Sequence, residues 1–243
     1  MHIDSIIDDG FNAELVENAV FCGFLEMPAI KKPAEFILPK KMIPFSQCRK
    51  SKDFSEFVCF YEHDINFRKI LTKTKEEISF LKKFQGVVSP DCSLYFDMPL
   101  VLQMTNVYLN RQVAHYMQEQ GIYVIPNVRW GDERSYMRKI PGELPFAFLG
   151  IEKHSIVSIG TYGCIQGTQK RFYFKEGLRA LIVELQPEYV IVYGPMPLNI
   201  FGDFKYLTRF IHIPDWTSTM HKKQVSSYNY ADILCLGEKN GNW

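Results

Sequence analysis

The residues best suited to chemistry follow a short apolar segment in the middle of the chain. Residues 122–128 are mostly apolar and predict a buried strand. This strand is followed by a polar cluster that contains one large aromatic ring: Arg129, Trp130, Gly131, Asp132, Glu133 and Arg134. The Trp ring could stack on a flat substrate, and the acids could move a proton. A solvated loop with a Trp packed on the edge of the core would have the same composition.

Other predicted strands end in a similar way. The strand at 86–89 is followed by Asp91, and two later strands are followed by Tyr162 and Tyr193. The carboxyl ends of parallel strands meet at one edge of an open sheet or at one face of a barrel. We therefore expect these side chains to converge on a common site.

The order of the predicted elements indicates the fold class. Short apolar strands alternate with amphipathic helices, predicted over 64–84, 98–120 and 172–185. This alternation is typical of an α/β domain with a mainly parallel β-sheet flanked by helices. It is compatible with an open three-layer sandwich and with a (β/α) barrel. We predict a single domain over 1–243, with the proline-rich residues 1–50 as an irregular wrapping segment.

Composition narrows the class of protein. The chain has 243 residues, of which 47% are hydrophobic, and this is ample for a core. No apolar run reaches the roughly 20 residues that a membrane helix needs, and the N-terminus does not resemble a secretory signal. We expect a cytoplasmic protein without a membrane partner. The cysteines and histidines lack metal-ligand spacing, so neither a metal nor another cofactor is expected.

Four motifs resemble a family of uncharacterised domains found in bacteria and their phages. They occur in the order VVSPDCSLYFDMPL, IPNVRWGDERSY, SIGTYGC and IVYG, and the resemblance covers roughly residues 57–195. The resemblance to this family implies no particular activity. Its occurrence in phages and mobile elements implies work on nucleic acid or in antiviral defence.

A more local resemblance concerns the C-terminal part of the chain. Residues 172–222 comprise a helix, the strand YVIVYG, a short helix, the strand FIHIP and the loop DWTSTMHK. This order is similar to the C-terminal half of the uracil-DNA glycosylase superfamily, in which a His-Pro-Ser-type loop inserts into DNA. The resemblance implies that His212, Pro214, Thr217 and Ser218 stand near the places of that loop. Here Ile213 separates the His from the Pro, and the G-Q-D-P-Y motif of the superfamily is absent.

The strand ends and these resemblances together predict a metal-independent hydrolase that removes a base, unmodified or modified, from DNA. A carboxylate would orient water and stabilise the sugar cation, and a histidine would stabilise charge on the leaving base. The candidate catalytic residues are Asp91, Asp132, Glu133 and His212. The candidate base-binding residues are Asn127, Trp130, Tyr162 and Tyr193. The candidate DNA contacts are Arg129, Arg134, Thr217, Ser218, His221 and Lys222.

Two alternatives remain open. The acids Asp64, Asp91 and Asp132 could ligate Mg²⁺ for phosphodiester cleavage, although Asp64 fits better as a helix N-cap. The second alternative is a phage or mobile-element protein without enzymatic activity. It would bind a partner through the proline-rich N-terminal segment and the loops that contain Trp.

Overall fold

Two parallel β-sheets form the framework of the computed structural model, which describes residues 12–220. The first sheet has the order β3-β4-β5-β6, with strands β3 (Met42–Pro44), β4 (Phe57–Cys59), β5 (Gly86–Val88) and β6 (Val124–Ile125). The second has the order β7-β8-β9, with strands β7 (Ile156–Gly160), β8 (Tyr189–Tyr193) and β9 (Arg209–Ile213). An antiparallel pair, β1 (Phe21–Cys22) and β2 (Met27–Pro28), precedes them.

The helices lie between the strands in the chain. They are α1 (Phe45–Cys48), α2 (Asp64–Thr72), α3 (Thr74–Leu81), α4 (Leu100–Glu119), α5 (Glu133–Tyr136), α6 (Thr168–Leu185) and α7 (Leu198–Phe201). Together with the sheets they form one mixed α/β domain, which confirms the fold class predicted from the alternation of elements. Within residues 12–220, no helix is long and apolar enough to cross a membrane.

The two sheets are joined by a parallel β-bridge between Asn127 and Ser158, and the combined sheet is strongly curled. Tyr61, at the end of β4, stacks on Tyr193 of β8 with ring centroids 5.1 Å apart. Three strands separate β4 from β8 in the sheet order, so this contact requires the sheet to wrap around its own interior. The described strands do not close into a barrel, because no pairing between β9 and β3 occurs within residues 12–220.

A hydrophobic cluster fills the concave side of the curled sheet. Its buried members come from β3 to β9: Met42, Phe57, Cys59, Tyr61, Val88, Ile125, Ile156, Ile191, Tyr193 and Ile213. The alternate strand residues face outward and pack against the helices, as Val58 and Val190 do. Burial on both faces explains why the strands read as nearly continuous apolar runs in the sequence.

Several predicted boundaries differ from the structure. The helix predicted over 64–84 is two helices, because Lys73 leaves the helical conformation with φ −133° and ψ 40°. The strand predicted over 122–128 is shorter in the structure, where only β6 (Val124–Ile125) has strand conformation. Residues 42–44 form a buried strand of the first sheet, so the prediction of an irregular segment over 1–50 is wrong at that point. A strand of three residues that ends in Pro is too short to give a period-2 pattern.

Candidate active site

A cavity of about 440 Å³ opens at the carboxyl ends of the parallel strands. The strands β4 to β9 each contribute a residue at or just beyond their ends: Tyr61, Asp91, Arg129, Gly160, Tyr193 and Asp215. A second, smaller pocket shares Asp91 and Arg129 with it. The convergence expected from the strand ends is therefore present, and the volume suits one small ligand.

Asp91 is the carboxylate that reaches both the cavity and the smaller pocket. Its Oδ1 accepts a hydrogen bond of 2.8 Å from Asn127 Nδ2, and its Oδ2 forms an ion pair of 2.7 Å with Arg129 Nη1. Only 5% of the residue is exposed. Burial raises the pKa of Asp91 to about 6, and the positive charge of Arg129 limits the rise. This carboxyl group can therefore both bind and release a proton near neutral pH.

Asn127 holds Asp91 in place from behind the cavity wall. Its Oδ1 lies 3.0 Å from the Tyr61 hydroxyl, which also lies 2.7 Å from Ser158 Oγ, and its backbone N–H donates to Ser89 Oγ. Asn127 is buried and does not line the cavity. These contacts place Asn127 to position Asp91, and its contact with a base remains a prediction.

A buried cation fixes the backbone at this point. Arg111 of α4 donates hydrogen bonds to the carbonyl oxygens of Asn127, Ala147 and Leu149 at 2.8–3.0 Å. Burial lowers the pKa of Arg111 to about 9, so the guanidinium remains charged at neutral pH. Three carbonyl oxygens, in place of a carboxylate, satisfy this buried cation.

The aromatic candidates divide between the cavity and the core. Tyr162 is 60% exposed and lines the cavity, whereas Tyr193 is buried in its floor and accepts a hydrogen bond from the Trp216 backbone N–H. Trp130 is only 7% exposed, and its Nε1–H donates to the Tyr173 carbonyl oxygen at 3.2 Å. It contributes to the wall of the smaller pocket but is packed as a core residue. Its predicted role as a free stacking platform is therefore corrected.

The second candidate carboxylate, Asp132, has a structural role. It is the N-cap of α5, accepting a hydrogen bond of 2.9 Å from the Arg134 backbone N–H, and it forms an ion pair of 2.6 Å with Arg134 Nη2. Burial alone would raise the pKa of Asp132, but the hydrogen bonds from Arg134 hold it below its usual range. Neither residue lines the cavity, and Glu133 is exposed on α5. The structure does not bring these three residues together with Asp91.

This arrangement predicts a stability effect without a catalytic one. Asp132→Ala should lower the free energy of unfolding by about 0.5–2 kcal/mol, because it removes a helix cap. Denaturant unfolding measures that loss, with the exposed Asp203→Ala as the matched control. Enzymatic activity of the folded variant should equal that of the wild type. A large fall in activity at unchanged stability would instead place Asp132 in catalysis.

The residues of the predicted C-terminal loop are scattered. His212 lies on β9 between Ile211 and Ile213, which face the interior, so its side chain projects from the outer face and donates to the Gly194 carbonyl oxygen at 2.9 Å. It does not line the cavity, and its predicted contact with a leaving base is corrected. Thr217 does line the cavity.

The remaining predicted DNA contacts either bond to nearby residues or lie outside the described part of the chain. Ser218 donates hydrogen bonds to the Asp215 carboxylate from both its backbone N–H and its hydroxyl. Arg134 donates hydrogen bonds to the Asp132 carboxylate and to two backbone carbonyl oxygens. His221 and Lys222 lie outside the described residues.

Comparison with known proteins places the chain in a family. A family model described as a domain of unknown function, DUF4417, matches residues 19–213, which is well over half of the chain. The chain belongs to the DUF4417 family. This confirms the predicted resemblance to uncharacterised phage-associated domains, and the matched region contains Asp91, Asn127 and Arg129.

Two phage proteins are similar to this DUF4417 chain. The Gene 1 protein of Mycobacterium phage L5 is 31% identical over 137 residues, covering 56% of each chain. The Gene 1 protein of Mycobacterium phage D29 is 28% identical over 135 residues, covering 56% of this chain and 47% of its own. The aligned region thus spans about half the length of these relatives. No solved structure matches the chain.

The three acids of the magnesium alternative are each engaged by other side chains of this chain. Asp64 is the first residue of α2 rather than its N-cap, so the predicted cap is wrong, and its carboxylate accepts hydrogen bonds from Ser93 N–H and Oγ at 3.0 and 2.7 Å. Asp91 is paired with Arg129, and Asp132 with Arg134. Within residues 12–220, no group of three or more His, Cys, Asp or Glu side chains could hold a metal ion.

Sequence reasoning missed part of the cavity wall. His63, Ser93, Tyr95, Lys170 and Trp216 all line the cavity. Four of them follow a strand closely in the chain, which is the signal that identified Asp91. Lys170 belongs to α6, and only the fold shows that this helix begins beside the cavity.

Proposed function

We propose that this DUF4417 protein is a hydrolase that cleaves the N-glycosidic bond of a base in DNA, with Asp91 as the catalytic carboxylate. The observation that carries the proposal is the environment of Asp91. It is a buried carboxylate, oriented by an amide and a guanidinium, at the wall of a cavity that also contains several tyrosines. The cavity volume suits a single extruded nucleotide.

The chemistry follows from the free lone pairs of Asp91. Each of its oxygens accepts one hydrogen bond, from Asn127 or from Arg129, so each retains capacity for a further donor. A water held there would be oriented for attack on the sugar carbon, and the carboxylate charge would stabilise the oxocarbenium-like transition state. Since the pKa of Asp91 is about 6, the ionised form predominates at neutral pH.

The aromatic residues of the cavity support a flat substrate. Tyr61 and Tyr193 form a stacked pair in the floor, and the exposed rings of Tyr95 and Tyr162 stand at the wall. A base that leaves the DNA stack loses stacking energy, and contact with aromatic side chains compensates for part of that loss. Gly160 allows the Tyr61 ring to pack directly against the backbone of β7, because a Cβ there would lie 2.5 Å from that ring.

The proposal is tested by incubating the purified full-length protein with unmodified, uracil-containing and phage-modified DNA in the presence of EDTA. An abasic-site probe and alkali treatment then report base release. We expect abasic sites to form despite EDTA, because no step assigned to Asp91 requires a metal. Strand breaks that appear only after Mg²⁺ is added would contradict the proposal and favour a nuclease. Absence of any reaction on all three substrates would also contradict it.

A further inference from the structure

Two cationic side chains in the cavity wall have unused capacity to bind an anion. Arg129 and Lys170 both line the main cavity and the smaller pocket beside it. The Arg129 side chain is 16% exposed, and Asp91 occupies its Nη1. Its Nε is buried and has no hydrogen-bond partner in the described structure. Arg129 therefore keeps donor capacity beyond its contact with Asp91, and the exposed part of its side chain can meet a ligand.

Asp91 does not use all the donors of Arg129. Cys164 lies beside the guanidinium, and burial raises the pKa of its thiol, so the neutral sulfur is only a weak acceptor for Arg129. The carboxylate paired with Arg129 is Asp91, and it contacts Nη1. An anion that entered the cavity would meet the partly exposed Arg129 side chain without displacing Asp91.

Lys170 adds a positive charge that no described acid neutralises. Within residues 12–220, no carboxylate oxygen lies within 4.0 Å of its Nζ, and the same holds for the guanidinium of the adjacent Arg171. Both residues belong to the first turn of α6, whose N-cap is Gly167 and which has no acidic residue at its start. Basic residues in a first turn oppose the helix dipole, and the local positive potential is correspondingly high.

We propose that Arg129 and Lys170 form a subsite that binds a phosphate group of the substrate. The Arg129 guanidinium would donate to one phosphate oxygen, and the Lys170 ammonium would neutralise a second. This inference rests on the proposed function only in naming the ligand as a nucleotide unit whose base enters the cavity. It adds that recognition depends on the phosphate, so that a nucleoside is a much poorer ligand than a nucleotide.

Binding measurements test the subsite without requiring catalysis. The probes are inorganic phosphate, thymidine, thymidine monophosphate and a short single-stranded oligonucleotide of mixed sequence, each titrated into the full-length protein by calorimetry. The variants are Lys170→Gln, which lies on the surface, and Arg129→Lys, which retains a positive charge for Asp91 but removes the Nε donor. Lys139→Gln, an exposed lysine outside the cavity, is the matched control.

We expect each cavity variant to weaken binding of phosphate and thymidine monophosphate by about 10- to 100-fold, as loss of a charge-assisted hydrogen bond does. Lys139→Gln should bind as the wild type does. Lys170→Gln should also lower the slope of log affinity for the oligonucleotide against log salt by about one unit. If thymidine monophosphate binds and the oligonucleotide does not, the phosphate that the subsite recognises belongs to a free nucleotide.

Two results would overturn the inference. One is equal affinity for thymidine and thymidine monophosphate. The other is phosphate binding that is unchanged in both cavity variants. These outcomes are independent of the hydrolase proposal. If the Lys170→Gln variant released bases from DNA at the wild-type rate, the hydrolase proposal would stand although the phosphate subsite had failed. Conversely, phosphate binding that requires Arg129 and Lys170 would stand even if no base were released.

Discussion

Asp91→Asn should lower the rate of base release by about 10²- to 10⁴-fold, the usual contribution of a positioned acid–base or charge-stabilising group. Asparagine has nearly the same size, and its amide oxygen can still accept the hydrogen bond from Arg129, while its amide nitrogen replaces the oxygen that faces Asn127. It lacks the negative charge that stabilises the sugar cation and orients the water. Abasic-site formation per unit time measures the loss, and circular dichroism confirms that the variant is folded.

The pH dependence of the wild-type protein provides a second check on Asp91. Because burial raises the pKa of this carboxyl group to about 6, the rate should rise as pH increases through that value and then level off. The control is Asp203→Asn, an exposed carboxylate paired with Lys175 outside the cavity, which should leave both rate and pH profile unchanged. An Asp91→Asn variant with full activity would remove the assigned mechanism.

Gly177→Ala should destabilise the fold by at least about 2 kcal/mol. A Cβ on Gly177 of α6 would lie 2.1 Å from Nε1 of Trp130 and 2.3 Å from Cδ1 of the same ring. The indole has little room to move, since it donates to the Tyr173 carbonyl oxygen and packs on Phe174. We expect an overpacking cost of about 3 kcal/mol or more, against about 1 kcal/mol gained from helix propensity.

Thermal unfolding measures this effect and should show a fall in Tm of about 4–8 °C for a chain of this size. Gly202→Ala is the matched control, because Gly202 has φ −58° and no atom lies within 4 Å of its added Cβ. That variant should be neutral or slightly stabilised. If Gly177→Ala unfolded at the wild-type temperature, the close packing of Trp130 on α6 would be contradicted.

Prediction from the sequence succeeded where the signal is local. The helix at 98–120 and the strand at 209–213 agree with α4 and β9 to within two residues. Their apolar periodicity and their glycine and proline boundaries are properties of consecutive residues. Two short strands, β3 and β6, were missed or overextended, because two or three residues give no period and their pairing partners lie far away in the chain.

The candidate site shows the same division. Asp91 was identified because it follows a strand, and a strand end lies at the same edge of a parallel sheet whatever the details of packing. Asp132 also follows a strand, but α5 begins directly after it and its carboxylate caps that helix. His212 was placed in the site although the period-2 alternation of β9 turns it outward when Ile211 and Ile213 face inward.

By itself, the sequence determined that the chain is an α/β domain with parallel strands and that polar residues gather at their carboxyl ends. Both conclusions depend on the order and periodicity of neighbouring residues. Only the tertiary structure decided that Asp91 meets Asn127 and Arg129, that Trp130 belongs to the core, and that Lys170 reaches the cavity. These contacts join side chains on different strands and helices, so the curl of the sheet and the position of α6 determine them.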